Sequence, residues 1–187
     1  VLANGGVATA CAVLFALTHE PRWAWAFAGA YAAATADTWA TEIGTLARHA
    51  PRSILTLRPI PTGLSGGITL PGTLAEIAGA LWIGTVALVC FTPGSGLHGV
   101  WLISLAGSRF PLLAVTLAGV VGSTVDSAFG ATVQELRRCD VCGRNCETDP
   151  HACGAPTRLV RGLPGASNDL VNLLATVAGA AVAFALA

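Results

Sequence analysis

Acidic side chains stand where the surrounding residues are apolar. Asp37 and Glu42 fall in the stretch 23–47, Asp126 in 111–136, and Asp169 at the start of 168–187. Ionisable groups inside apolar spans are costly and mark sites of function. Asp37 and Asp126 each lie about ten residues from the same end of their segments, roughly 15 Å deep at the helical rise. At about 100° per residue, Asp37, Thr38, Thr41, Glu42 and Thr45 share one helical face. Ser123, Asp126, Ser127, Gly130 and Gln134 share another, as do Asn168, Asp169, Asn172 and Thr176. Three polar stripes at matching depth are expected to face one water-filled cavity. Carboxylates that converge there repel unless a positive charge lies between them. An oxygen-rich ligand set with Asn and Gln beside it favours Mg²⁺ over softer metals. The plainer alternative is pairing with Arg or hydrogen bonding between helices. Glu76 is expected to be structural, since Thr73-Leu74-Ala75-Glu76 has the form of a capping box opening a helix.

The polar stretch 48–73 carries a different chemistry. It contains Arg52, Arg58, Thr62, Gly63, Ser65, Gly66, Gly67 and Thr73. Glycines let backbone N–H groups curl around an anion, and hydroxyls add donors. A helix opening at Thr73 would aim its N-terminus at phosphate, and the two arginines are suited to clamping phosphate oxygens. The stretch has no Walker pattern, so it is not a P-loop. Positive-inside arginines in an ordinary loop are the alternative.

Downstream, Cys139, Cys142, Cys146, His151 and Cys153 fall within a short polar run. Soft ligands at this density predict a structural Zn²⁺ site. Cys139, Cys142 and Cys153 belong to any sensible set, and the fourth ligand is either His151 or Cys146. Disulfides are the alternative, disfavoured on a reducing side of a membrane. Cys11 and Cys90 lie in apolar stretches and read as packing residues.

The elements that must position these groups are membrane spans. Of 187 residues, 53% are hydrophobic and 11% charged, less than half the charged share of a typical soluble domain. The mean hydropathy is +0.67. Net charge is zero, so no basic footprint points to nucleic acid. Apolar segments at about 1–18, 23–47, 73–91, 111–136 and 168–187 predict an all-α bundle of about five spans forming a single transmembrane domain, 1–187. The breaker at 92–96 precedes a short interfacial helix at 98–106. Eight of the ten arginines lie in 47–72 and 137–166; the others are Arg22 and Arg109. The positive-inside rule places both loops, including the zinc-binding loop 137–166, in the cytoplasm. The expected protein is therefore integral to the membrane with its site facing the cytoplasm. Trp23, Trp25 and Trp101 read as an aromatic belt on the outer side, and His49 and His98 as surface residues. The chain contains no Met, so a segment upstream of Val1 is expected.

The motifs 36–44, 51–73, 122–134 and 168–172, in this order, resemble the integral-membrane family that includes plant phytyl-phosphate kinase, which phosphorylates an isoprenyl monophosphate to the diphosphate in tocopherol synthesis. The family is remotely similar to dolichol and phytol kinases and to phosphatidate cytidylyltransferases, which use CTP. In its prokaryotic members the cysteine motif matches Cys139, Cys142, His151 and Cys153 here, and Cys146 departs from it. The resemblance implies a kinase acting on a nucleoside triphosphate, CTP or ATP, and an isoprenyl lipid phosphate among membrane lipids. Asp37 and Asp126 would hold Mg²⁺, with Glu42 and Asp169 also catalytic. Arg52, Arg58, the glycine-rich run, Ser127, Gln134, Asn168 and Asn172 would bind phosphate or substrate. A cytidylyltransferase is the first rival. A cation-coupled transporter is the distant one, because the polar groups crowd one half of the bundle. The oligomeric state, monomer or homo-oligomer, stays open.

Overall fold

The computed structural model describes residues 2–91 and 111–187. The expected breaker at 92–96, the interfacial helix at 98–106, and His98, Trp101 and Arg109 lie outside the described residues.

Among the described residues, five helices form the body: α1 (Leu2–Thr18), α2 (Arg22–Gly44), α3 (Leu70–Phe91), α4 (Pro111–Thr132) and α5 (Asn168–Leu186). α2 packs against each of the other four, and these follow around it in the order α3, α4, α5, α1. Its sequence explains the central place. Alanines recur on every side of α2, and Ala30, Ala32, Ala33 and Ala36 are fully buried. Small side chains let helix backbones approach closely where lipid supplies no hydrophobic drive for association. Glycines on α2 and on its partners serve the same end. A Cβ on Gly29 would sit 2.5 Å from the Gly179 carbonyl oxygen, and one on Gly119 would sit 2.7 Å from the Ala80 Cβ.

Among the described residues, three helices, α3, α4 and α5, are long and apolar enough to cross a membrane, and α1 is a shorter apolar helix. α2 has the length, with 23 residues, but its polar stripe lowers its hydropathy. A helix surrounded by other helices can carry such a stripe, because lipid touches little of it.

The boundaries correct several expectations. α3 begins at Leu70 rather than Thr73, and Thr69 caps it: the Thr69 hydroxyl accepts from the Gly72 N–H at 3.1 Å. Thr73 and Glu76 therefore lie inside the helix and form no capping box. α4 ends at Thr132, ahead of the expected 136. The connecting loops contain strands that an all-helical reading omits. β1 (Arg52–Ser53) pairs antiparallel with β2 (Gly67–Ile68), and β3 (Leu136–Cys139) is the middle of a three-stranded antiparallel sheet between β4 (Asn145–Cys146) and β5 (Thr157–Arg161). Trp25 is not a belt residue: it is 4% exposed and packs edge-on against Phe91, with ring centroids 5.4 Å apart. Trp23, half-buried at the start of α2, packs on Phe184.

Candidate functional site

The helices alternate in direction, so both folded loops meet the start of α1, α3 and α5 and the end of α2 and α4 at one end of the bundle. A cavity of about 300 Å³ opens there. Asp37 from α2 and Asp126 from α4 both line it, with their carboxyl groups close enough to interact directly. Two carboxylates in contact require a proton or a cation between them. Asp126 Oδ1 is buried and accepts no hydrogen bond. A buried acceptor without a donor is costly, and a hard cation is one way to satisfy it. The other oxygen ligands at hand are Glu42, Glu76, Asn168 and Asn172, all lining the cavity. The residues present thus fit Mg²⁺.

The opposite wall is the glycine-rich loop, and Thr62, Gly63, Ser65, Gly66, Gly67 and Thr73 all line the cavity with Ser127. The loop rests on the end of α4. Gly66 adopts φ +84°, and a Cβ there would stand 2.5 Å from the Ala131 Cβ; a Cβ on Gly130 would stand 2.9 Å from that of Ser65. Only glycine meets both the left-handed backbone and the close approach at Gly66.

Other expected site residues lie elsewhere. Asp169 is exposed in the first turn of α5, where its charge complements the helix dipole; it does not line the cavity. The Arg52 guanidinium donates to the Leu57 carbonyl of its own hairpin at 2.8 Å, and Arg58 is exposed at the hairpin's far end. Neither lines the cavity. Gln134 is 2% exposed, just beyond α4, and its Nε2 donates to Glu147 Oε2 at 2.8 Å. It clamps a loop and is not part of the cavity wall.

Sequence reasoning passed over three residues. Glu76 lines the cavity and accepts from the Ser123 and Thr124 hydroxyls, the latter at 3.5 Å. Its depth in an apolar helix was the available signal. Asn4 of α1 also lines the cavity. Glu147, in the cysteine loop, accepts from the Ser65 N–H at 2.8 Å and from its hydroxyl at 3.0 Å, as well as from Gln134. It ties the two loops together, and an acid in a polar loop gives no sequence signal of that role.

In the cysteine loop, Cys139, Cys142, His151 and Cys153 place three Sγ atoms and one ring nitrogen within 4.8 Å of one another. The Sγ atoms lie 3.2 to 3.6 Å apart, and His151 Nδ1 lies 3.0 Å from Cys153 and 3.4 Å from Cys142. Tetrahedral Zn²⁺ with bonds of about 2.3 Å to sulfur and about 2.0 Å to nitrogen asks for ligand separations of roughly 3.5–3.8 Å. The cluster is close to that geometry. Cys146 lies outside it, with its thiol directed to the Thr148 carbonyl, which leaves His151 as the fourth donor. Hydrogen bonds to the neighbouring Cys153 and Cys139 sulfurs push the Cys142 thiol up to about 12, whereas the Cys142 backbone N–H lowers Cys139. A bound divalent cation would reverse that crowding by neutralising the thiolates. The flank is braced by Arg137, which pairs with Glu135 at 2.7 Å and Asp149 at 3.1 Å.

The architecture defines an integral-membrane helix bundle with an acidic, glycine-walled cavity at one end and, in the adjoining loop, a cysteine–histidine cluster whose geometry could hold a metal ion. The chain belongs to the integral membrane protein family DUF92, whose model matches residues 1–180. It is 40% identical over 120 residues to Protein PGR of Arabidopsis thaliana, covering 60% of this chain and 38% of that one. An uncharacterised membrane protein of Methanocaldococcus jannaschii is 36% identical over 134 residues, 70% of this chain and 48% of its own. One of Synechocystis is 27% identical over 182 residues, 96% of this chain and 55% of its own. The chain thus spans about half the length, or less, of these curated relatives. No solved structure matches it. Membership of the integral-membrane family bears out the resemblance read from the motifs.

Proposed function

We propose that this domain transfers a phosphoryl group from a nucleoside triphosphate, CTP or ATP, to an isoprenyl monophosphate held in the membrane. One observation carries the reading: the Asp37–Asp126 contact, with its unsatisfied buried oxygen, faces a glycine-rich loop across a cavity at the end of a lipid-embedded bundle. Phosphoryl transfer depends on positioning and charge neutralisation more than on covalent catalysis. Asp37 and Asp126 would hold Mg²⁺, with Glu76 and Asn172 within the same cavity, and the ion would supply positive charge to offset the phosphates. Backbone N–H groups of 62–67 and the Ser65, Thr73 and Ser127 hydroxyls orient phosphate oxygens. An oxygen of the acceptor monophosphate attacks the γ-phosphorus, the bond from that phosphorus to the β-bridging oxygen breaks, and the nucleoside diphosphate leaves. The acceptor is already ionised near neutral pH, so no strong general base is needed.

The lipid tail has a route. Asn4 and Thr38 border both the cavity and a shallow groove between α1 and α2 lined by Gly5, Tyr31, Ala34, Thr35 and Trp39. Zn²⁺ on Cys139, Cys142, His151 and Cys153 is structural, because four protein ligands leave no open position. The cavity faces the cytoplasm, where nucleotide is available, in accord with the arginine count of its loops.

Product analysis tests the reading. Purified protein with Mg²⁺, labelled nucleotide and isoprenyl monophosphates is expected to give a nucleoside diphosphate and a lipid diphosphate. Pyrophosphate with a nucleotide-linked lipid would mark a cytidylyltransferase instead. Elemental analysis is expected to find about one Zn²⁺ per chain, released by Cys139→Ser; a Cys–Cys crosslink in place of metal would overturn the zinc assignment.

A further inference from the structure

A second cavity, of about 480 Å³, lies between the glycine-rich loop and the cysteine loop. Pro61 to Leu64 form one wall, and the hairpin carrying Arg138, Arg144 and Asn145 forms the other. Thr62, Gly63 and Leu64 line both cavities, so this segment is the partition between them. The arginines of the cysteine loop divide into two groups. Arg137 pairs with Glu135 and Asp149, Arg158 pairs with Asp140 at 3.1 Å, and Arg161 donates to the Gly130 carbonyl at 2.9 Å. Among the described residues, the Arg138 and Arg144 guanidiniums have no ion-pair or hydrogen-bond partner, and both residues line the second cavity. The Arg48 and Arg58 guanidiniums are likewise unpaired among the described residues, but these residues line neither cavity. The one acid in the second cavity's wall is Glu147. Its oxygens accept from Ser65 and Gln134, and among the described residues it forms no ion pair with either guanidinium.

We infer that this second cavity is a polyphosphate site, in which Arg138 and Arg144 hold phosphates of the nucleoside triphosphate while the 62–64 partition passes its terminal phosphoryl group to the Asp37–Asp126 cavity. The inference rests on the phosphotransfer reading for the identity of the ligand, but not for the anion chemistry. Arginine forks match phosphate oxygens bidentately, and two of them in one cavity recognise two phosphates of one chain. The site also explains the neighbouring cluster. Arg138 precedes Cys139, and Arg144 lies between Cys142 and Cys146, so metal ligation fixes the hairpin that presents both guanidiniums.

The test uses inorganic tripolyphosphate on the purified full chain in detergent, without Mg²⁺, by titration calorimetry. Wild type is expected to bind it. Arg138→Gln combined with Arg144→Gln should weaken binding at least about tenfold, with the paired Lys substitutions intermediate. Both side chains are solvent-facing, and retention of zinc in the variants checks that the hairpin is intact. In the turnover assay the double variant should raise KM for nucleotide and leave KM for the lipid monophosphate unchanged. Equal tripolyphosphate binding by wild type and double variant, no binding by wild type, or a KM change confined to the lipid substrate would each overturn the inference. Tripolyphosphate binding that depends on the two arginines, in a protein that turns over no nucleotide, would uphold the anion site and overturn the phosphotransfer reading.

Discussion

The residues that the sequence disclosed were those whose placement is energetically costly. Asp37 and Asp126 stand out because lipid penalises them, and they are the pair the cavity brings together. Glu76 carried the same penalty, but Thr73 three residues before it imitated a capping box and masked it. Arg52 and Arg58 were misplaced for another reason: composition marks a guanidinium as available for phosphate but not where it points, and Arg52 turns back on Leu57. Glu147 was invisible because its role is wholly tertiary. As a positioning residue it makes a definite prediction. Glu147→Ala leaves the Ser65 N–H and Gln134 Nε2 without their acceptor, an effect of about 1–3 kcal/mol on loop order. It should raise KM for nucleotide several-fold with a smaller effect on kcat, and Glu147→Gln should recover part of the loss. A kcat loss with KM unchanged would contradict this role.

The brace at the neck of the cysteine loop gives a pH prediction. Glu135 accepts from the Gly165 N–H and pairs with Arg137, which holds its carboxyl below the ordinary value of 4.5; Asp149 is lowered by Thr157 and then Arg137. Groups lowered in the folded state stabilise it fully above their unfolded values, and that contribution is lost as pH falls through the lowered ones. The Gly165 amide resonance should therefore titrate with a midpoint below 4.5. Glu135→Gln should abolish the transition. A midpoint at or above the ordinary value would contradict the brace.

At the scale of elements, the helices were legible from their apolar runs, and the helical faces correctly grouped Asp37 with Thr41 and Asp126 with Ser127. Ends were less legible. The helix preceding Gln134 stops at Thr132 because the chain there turns to form β3, and strand pairing over so few residues has no sequence period to read. α2's central position was also hidden, since alanine serves a buried helix and a lipid-facing one alike. Glycine contacts make that position testable. A Cβ on Gly122 of α4 would clash with the Ala33 Cβ of α2, whereas one on Gly6 would meet nothing within 4 Å. Gly122→Ala should lower thermal stability in detergent, by about 1–3 kcal/mol for overpacking. Gly6→Ala should be neutral or stabilising by up to about 1 kcal/mol. Equal effects at the two positions would show that α2 and α4 do not pack as described.

For the whole molecule, the division of labour is spatial: apolar helices hold the acids at fixed depth, and two polar loops close over them at one end. Charge counting predicts that this end faces the cytoplasm, which topology mapping tests. In intact cells, a membrane-impermeant thiol reagent should fail to label a cysteine introduced at Thr62, an exposed position in the glycine-rich loop. It should label that cysteine after permeabilisation. Labelling from outside would separate the cavity from nucleotide.

The most direct measurement follows the γ-phosphoryl label itself, from CTP or ATP into isoprenyl monophosphate, in wild type and in Asp126→Asn. The account predicts label in the lipid diphosphate with wild type. It predicts a fall of at least about 100-fold in the variant, with zinc content and thermal stability retained. Undiminished transfer by Asp126→Asn, or no transfer by wild type from either nucleotide to any isoprenyl monophosphate, would contradict it.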